Sequence, residues 1–135
     1  MRRLVGIAIC AFLLAAVGAA LAASPPTTSL RVTYWADSAK PDANAVWTLR
    51  CDPPAGSLRQ PARACERIAS GGAKLFAPVP RGIACTQIYG GPQSATVVGL
   101  YGGKPVRTTF YRNDGCQIAR WNRVRFLFPI RVGVT

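Results

Sequence analysis

The chain has no histidine, and its 135 residues include only five carboxylates against 17 lysines and arginines. Without histidine there is no Ser-His-Asp triad, no Cys-His pair and no imidazole metal ligand. The carboxylates, Asp37, Asp42, Asp52, Glu66 and Asp114, are scattered singly, so nothing supports a paired-carboxylate hydrolase. No C-x-x-C spacing occurs, which removes the usual zinc frameworks as well. Beyond the N-terminal segment no apolar run is long enough to cross a membrane; Phe126-Leu127-Phe128 is interrupted by Pro129 and Arg131. These absences point to a binding protein, not an enzyme, with no cofactor and no metal.

What is present begins with an export signal. Arg2 and Arg3 form a positive start, Leu4 to Ala19 is apolar, and Ala20-Leu21-Ala22 offers small residues where a signal peptidase reads them. Residues 1–22 are therefore expected to be a signal peptide, leaving 23–135 as one secreted, extracellular domain of a length suited to a single core. Loss of Arg2 and Arg3 leaves an excess of about ten positive charges.

Export gives the cysteines a structural meaning. Cys10 leaves with the signal, and Cys51, Cys65, Cys85 and Cys116 remain. An even set in a small secreted chain reads as a disulfide framework, with three pairings open to it.

Along the expected domain, Leu30 to Trp35 alternates apolar and polar residues, the period of a half-buried strand. Ala45 to Cys51 reads as a second strand after the turn cluster Asp37 to Asp42. Pro61 suits a helix first turn, and Ala62, Cys65, Ile68 and Ala69 form an apolar stripe ended by Gly71-Gly72. Leu75 to Gly91, with Pro78, Pro80 and several glycines, is a constrained loop. Thr96 to Tyr101 and Val106 to Tyr111 flank Gly102-Gly103-Lys104-Pro105 as a hairpin, with Pro105 favouring an edge strand. A short helical turn, Ile118 to Trp121, is expected to lead into a last strand, Val124 to Phe128. The pattern implies an α+β fold: a five-stranded antiparallel sheet with one or two short helices packed on it and two disulfides.

The segment from Cys51-Asp52-Pro53 to Ala64-Cys65 resembles the signature of the Streptomyces subtilisin inhibitor-like family. Cys85-Thr86-Gln87-Ile88-Tyr89-Gly90-Gly91-Pro92 is similar to that family's reactive loop, and Val98 to Lys104 to its hairpin. Asn113-Asp114-Gly115-Cys116 is similar to its N-x-C run. The resemblance implies an α+β sandwich, the pairing Cys51–Cys65 and Cys85–Cys116, and inhibition of subtilisin-type serine proteases by a substrate-like mechanism. It makes Ala84, Cys85, Thr86, Gln87, Ile88 and Tyr89 the reactive-site loop, with Gln87 as specificity residue and Gln87–Ile88 as reactive bond. The chain departs from the family where Met, Lys or Arg usually stand at Gln87, Pro at Thr86, a larger residue at Ala84, and Thr-His-Pro at Ser57-Leu58-Arg59.

The implied partner is an extracellular subtilisin-like protease. Arg59, Arg63 and Arg67 recur at i, i+4 and i+8, and Arg120, Arg123 and Arg125 cluster near the end. No recognition motif accompanies this charge, so no nucleic-acid partner is expected. Two other partners stay open: an anionic cell-envelope surface, and a second copy in a homodimer. The alternative to inhibition is a non-inhibitory basic exported protein that binds the envelope. Trp35, Trp47 and Trp121 read as core or interface residues.

Overall fold

The computed structural model describes residues 27–42 and 44–128; the expected signal peptide and Cys10 lie outside them. Four strands, β1 (Thr28–Trp35), β2 (Asn44–Cys51), β3 (Ser94–Tyr101) and β4 (Lys104–Phe110), form one antiparallel sheet in the order β2-β1-β3-β4. Two helices accompany it, α1 (Pro61–Gly71) and α2 (Gly115–Val124). The class is α+β, as the sequence pattern implied.

Strand alternation is the reason for the layering. Leu30, Val32 and Tyr34 of β1 point to one face, opposite Leu49, Trp47 and Ala45 of β2 and Gly99, Val97 and Ala95 of β3. Arg31, Arg50 and Arg107 fall on the other face and are exposed. Because β2 and β3 lie on opposite sides of β1, the chain between them must cross the sheet. It does so on the apolar face, carrying α1 and a 3-10 turn, Gly72–Phe76. Ala64, Ile68, Leu75 and Phe76 from this crossover meet Trp121, Val124, Leu127 and Phe128 over the sheet. Only Ala64 and Ile68 of α1 are buried; Ala62 and Ala69, expected in its apolar stripe, face solvent. Gly71 closes the helix and Gly72 caps it, its N–H donating to Ile68 O.

The fifth strand does not form among the described residues. Val124 ends α2, and Arg125–Leu127 continues as a 3-10 turn. The buried residues are Arg120, Trp121, Val124, Leu127 and Phe128, a three-and-four spacing that belongs to a helix. The apparent alternation Val124, Phe126, Phe128 is incidental, since Phe126 is only partly buried and covers the outside of the core.

Two disulfides tie the layers. Cys51–Cys65 joins the end of β2 to α1 across a separation of 14 residues, and Cys85–Cys116 joins the long loop to α2 across 31. Arg120 is not part of a surface cluster with Arg123 and Arg125, because it is 5% exposed. Its guanidinium donates to Ala77 O, Thr109 O, Thr108 Oγ1 and Gln117 Oε1, and lies over the Phe110 ring. Burial, and then the charge of Arg123, lowers its pKa from the usual guanidinium range. Trp121 is in the core, Trp47 packs against it, and Trp35 donates its indole N–H to Pro41 O.

Candidate functional site

Between the 3-10 turn and β3 the chain runs from Ala77 to Gln93 without strand or helix pairing. Such a segment would ordinarily sample many conformations, at an ordering cost of about 1–2 kcal/mol per residue. Here it is fastened along its length. Ala77 O accepts from Arg120 Nε at 2.9 Å, and Pro92 O accepts from Ser38 N at 2.9 Å. Between these ends, Cys85 is bonded to Cys116 near the start of α2. Thr86 O accepts from Gly115 N at 2.9 Å, and Gly90 N donates to Arg112 O at 2.6 Å.

Two glycines allow this close approach. A Cβ at Gly90 would lie 2.9 Å from Ile118 Cδ1 and 3.1 Å from Arg112 O, and one at Gly115 would collide with the Thr86 hydroxyl. The backing segment is itself fixed, because Asp114 caps α2 by accepting from Gln117 N at 2.8 Å. Arg112 lies over the Trp121 ring and donates to Gln93 Oε1 at 2.9 Å, which steadies the exit of the loop.

The residues between the fastenings face outward. Ala84, Thr86, Gln87, Ile88 and Tyr89 are exposed, with Ile88 at 59% and Tyr89 at 67%, while Cys85 is half-buried over α2. Every non-glycine residue from Ile83 to Tyr89 keeps a negative φ, so the backbone carries no left-handed kink. Gln87 donates weakly back to Cys85 O, at 3.4 Å. All six residues expected in the reactive-site loop thus lie on one stretch, with Gln87 and Ile88 between the Thr86 and Gly90 anchors. Two large apolar side chains held in solvent cannot be explained by the protein's own core; they suit a partner's surface.

The site contains no catalytic apparatus. Cys85, Asp114 and Cys116 cluster closely, but both sulfurs are consumed in the disulfide and the carboxylate is engaged at the helix cap. No thiolate pair is left to hold a metal. Of the residues that position the loop, Ser38 and Arg112 had no expected role in the site, Arg120 stood only in the C-terminal arginine cluster, and Gly115 only in the Asn113–Cys116 run. Their only signal is tertiary contact, apart from the Gly115-Cys116 neighbourhood.

No helix among the described residues is long and apolar enough to cross a membrane. The subtilisin inhibitor-like family model matches residues 25–113, from before β1 through the whole loop. The chain belongs to that family, whose members are protease inhibitors and not enzymes. A similar solved structure is that of Streptomyces caespitosus sermetstatin in complex with Bacillus licheniformis subtilisin. The two chains are 17% identical, with 76% of this chain and 97% of sermetstatin covered at a TM-score of 0.50, a likeness of fold. No curated protein matches the sequence significantly.

Proposed function

We propose that this chain is a secreted inhibitor of subtilisin-type serine proteases, and that Gln87–Ile88 is the bond it offers to the catalytic serine. The observation that carries the reading is the exposed Ala84–Tyr89 stretch fastened on both sides of that bond. Family membership and the subtilisin bound to sermetstatin, a protein of like fold, support the partner class.

The mechanism follows from the fastenings. A loop already extended loses little further freedom on entering a protease cleft, so more of the contact energy appears as affinity. The protease serine attacks the Gln87 carbonyl and the Ile88 amine departs. On the Gln87 side the chain stays held by the Thr86–Gly115 bond, and on the Ile88 side by the Gly90–Arg112 bond. The Cys85–Cys116 disulfide bridges across the opened bond, because its cysteines lie on opposite sides of it in sequence. The amine therefore remains beside the acyl-enzyme at high effective concentration, and re-forms the bond before water completes hydrolysis. Gln87 enters the main specificity pocket, with Ile88 and Tyr89 on the leaving side.

Titration of a subtilisin-type protease with the purified protein tests the reading. Residual activity should fall linearly to an end point near one inhibitor per active site. Undiminished activity at micromolar inhibitor would refute it.

A further inference from the structure

Away from the loop, the start of α1 carries a feature that protease inhibition does not use. An open cleft of about 340 Å³ is lined by Arg59, Gln60, Arg63, Ala64, Arg67 and Phe126. Arg59 precedes the helix, while Arg63 and Arg67 sit one turn apart, about 6 Å along its axis. Three exposed guanidinium groups thus border one cleft. The first turn of α1 has no acidic residue and no side-chain cap, so its positive end adds to the same field. The acids lie elsewhere. Glu66 shares a different cleft with Asp52, and the single ion pair among the described residues is Lys40–Asp37.

We propose that this cleft is a second binding site, for a linear phosphodiester polymer without stacking bases. A guanidinium fork matches phosphate oxygens in pairs. One exposed contact of this kind contributes little, so a lone phosphate would not stay, whereas a chain with phosphates spaced like the arginines engages several together. Nucleic acid fits less well. Single-stranded nucleic acid gains affinity by stacking bases on free aromatic faces, but Phe126, the one ring in the cleft, already carries the Arg67 guanidinium at 4.6 Å. A polyol-phosphate chain, the chemistry of an anionic cell envelope, needs no such platform. The site would hold the inhibitor at a charged surface while leaving the loop free.

The test is fluorescence anisotropy of labelled poly(glycerol phosphate) with the full secreted chain at increasing salt. Three phosphate contacts predict a slope of log K against log salt of about −2, a loss of roughly 18-fold between about 50 and 200 mM. Replacing all three residues (Arg59→Gln, Arg63→Gln, Arg67→Gln) should lower affinity at least about tenfold and flatten the slope. The same charge removed from the outer sheet face (Arg31→Gln, Arg50→Gln, Arg107→Gln) should leave both within about twofold. Circular dichroism checks that both variants fold. Should the triple variant not fold, Arg63→Gln alone must reduce the slope by about 0.7. Absence of binding by the wild type, equal losses in the two triple variants, or tighter binding of oligothymidylate than of poly(glycerol phosphate) would each overturn the proposal. Subtilisin titration of the same variants is a separate readout, so failure of this site and failure of the inhibitor reading are distinguishable.

Discussion

Removing the Cys85–Cys116 disulfide should damage inhibition far more than removing Cys51–Cys65, although the two contribute comparably to stability. The chain-entropy relation gives about 3.7 kcal/mol for the 31-residue separation and about 3 kcal/mol for the 14-residue one. Cys85→Ser with Cys116→Ser, and Cys51→Ser with Cys65→Ser, should therefore shift urea midpoints by similar amounts. Their functional consequences differ because only the first pair fastens the exposed loop. Without it, Thr86 and Gly90 retain one backbone hydrogen bond each to the backing segment, at Gly115 and Arg112. The residues between them regain freedom. If two or three residues must be re-ordered on binding, at about 1 kcal/mol or slightly more each, the inhibition constant rises by roughly 30-fold to 1000-fold. The Cys51–Cys65 variant, with its loop fastenings intact, should stay within about threefold of wild type. The assay is inhibition of a subtilisin-type protease at a temperature where circular dichroism shows both variants folded. Equal losses in the two variants would refute the argument that the disulfide acts by restraining the loop.

Gln87→Lys should create trypsin inhibition through a charge-assisted contact in the protease pocket, and Gln87→Met should tighten subtilisin inhibition by burying apolar surface. Inhibition constants of the three proteins against both enzymes check this. Arg120→Met should destabilise the fold by about 3 kcal/mol in urea melts, because Ala77 O and Thr109 O lose their donor. Burial, opposed by the nearby Arg112 charge, raises the Tyr34 pKa. Folding then favours the neutral phenol, so this contribution is complete below about pH 10, where the unfolded group titrates, and declines as pH rises through the folded value. Urea melts at alkaline pH should show a shallower decline for Tyr34→Phe than for wild type.

The strands were legible because a period of two leaves little ambiguity when one face is buried: Leu30, Val32 and Tyr34 declare their side of the sheet at once. The C-terminal element was not, because Val124 to Phe128 satisfies two periods over five residues. What decides between them is Trp121, one helical turn earlier and buried. The arginines misled in a different way. Charge alone places Arg120 with Arg123 and Arg125, yet its partners at Ala77, Thr108 and Thr109 draw it into the interior. The loop from Ala84 to Tyr89 was found through its resemblance and its cysteine. Its disulfide to Cys116 was implied by the same resemblance, but its hydrogen-bond fastenings were not, since Ser38 meets Pro92 and Arg112 meets Gly90 only once the chain has crossed the sheet.

The most direct measurement is the covalent state of the inhibitor after long contact with catalytic amounts of a subtilisin-type protease. After acid release, the account predicts a mixture of intact protein and one cleaved form, heavier by a single water and still one molecule before reduction. Reduction should divide that form into two pieces, the second beginning at Ile88, because Cys85–Cys116 spans the cut. Brief re-exposure of the isolated cleaved form to the enzyme should regenerate intact protein. Cleavage at any other bond, or progressive degradation with no resynthesis, would contradict the assignment of Gln87–Ile88 as the reactive bond.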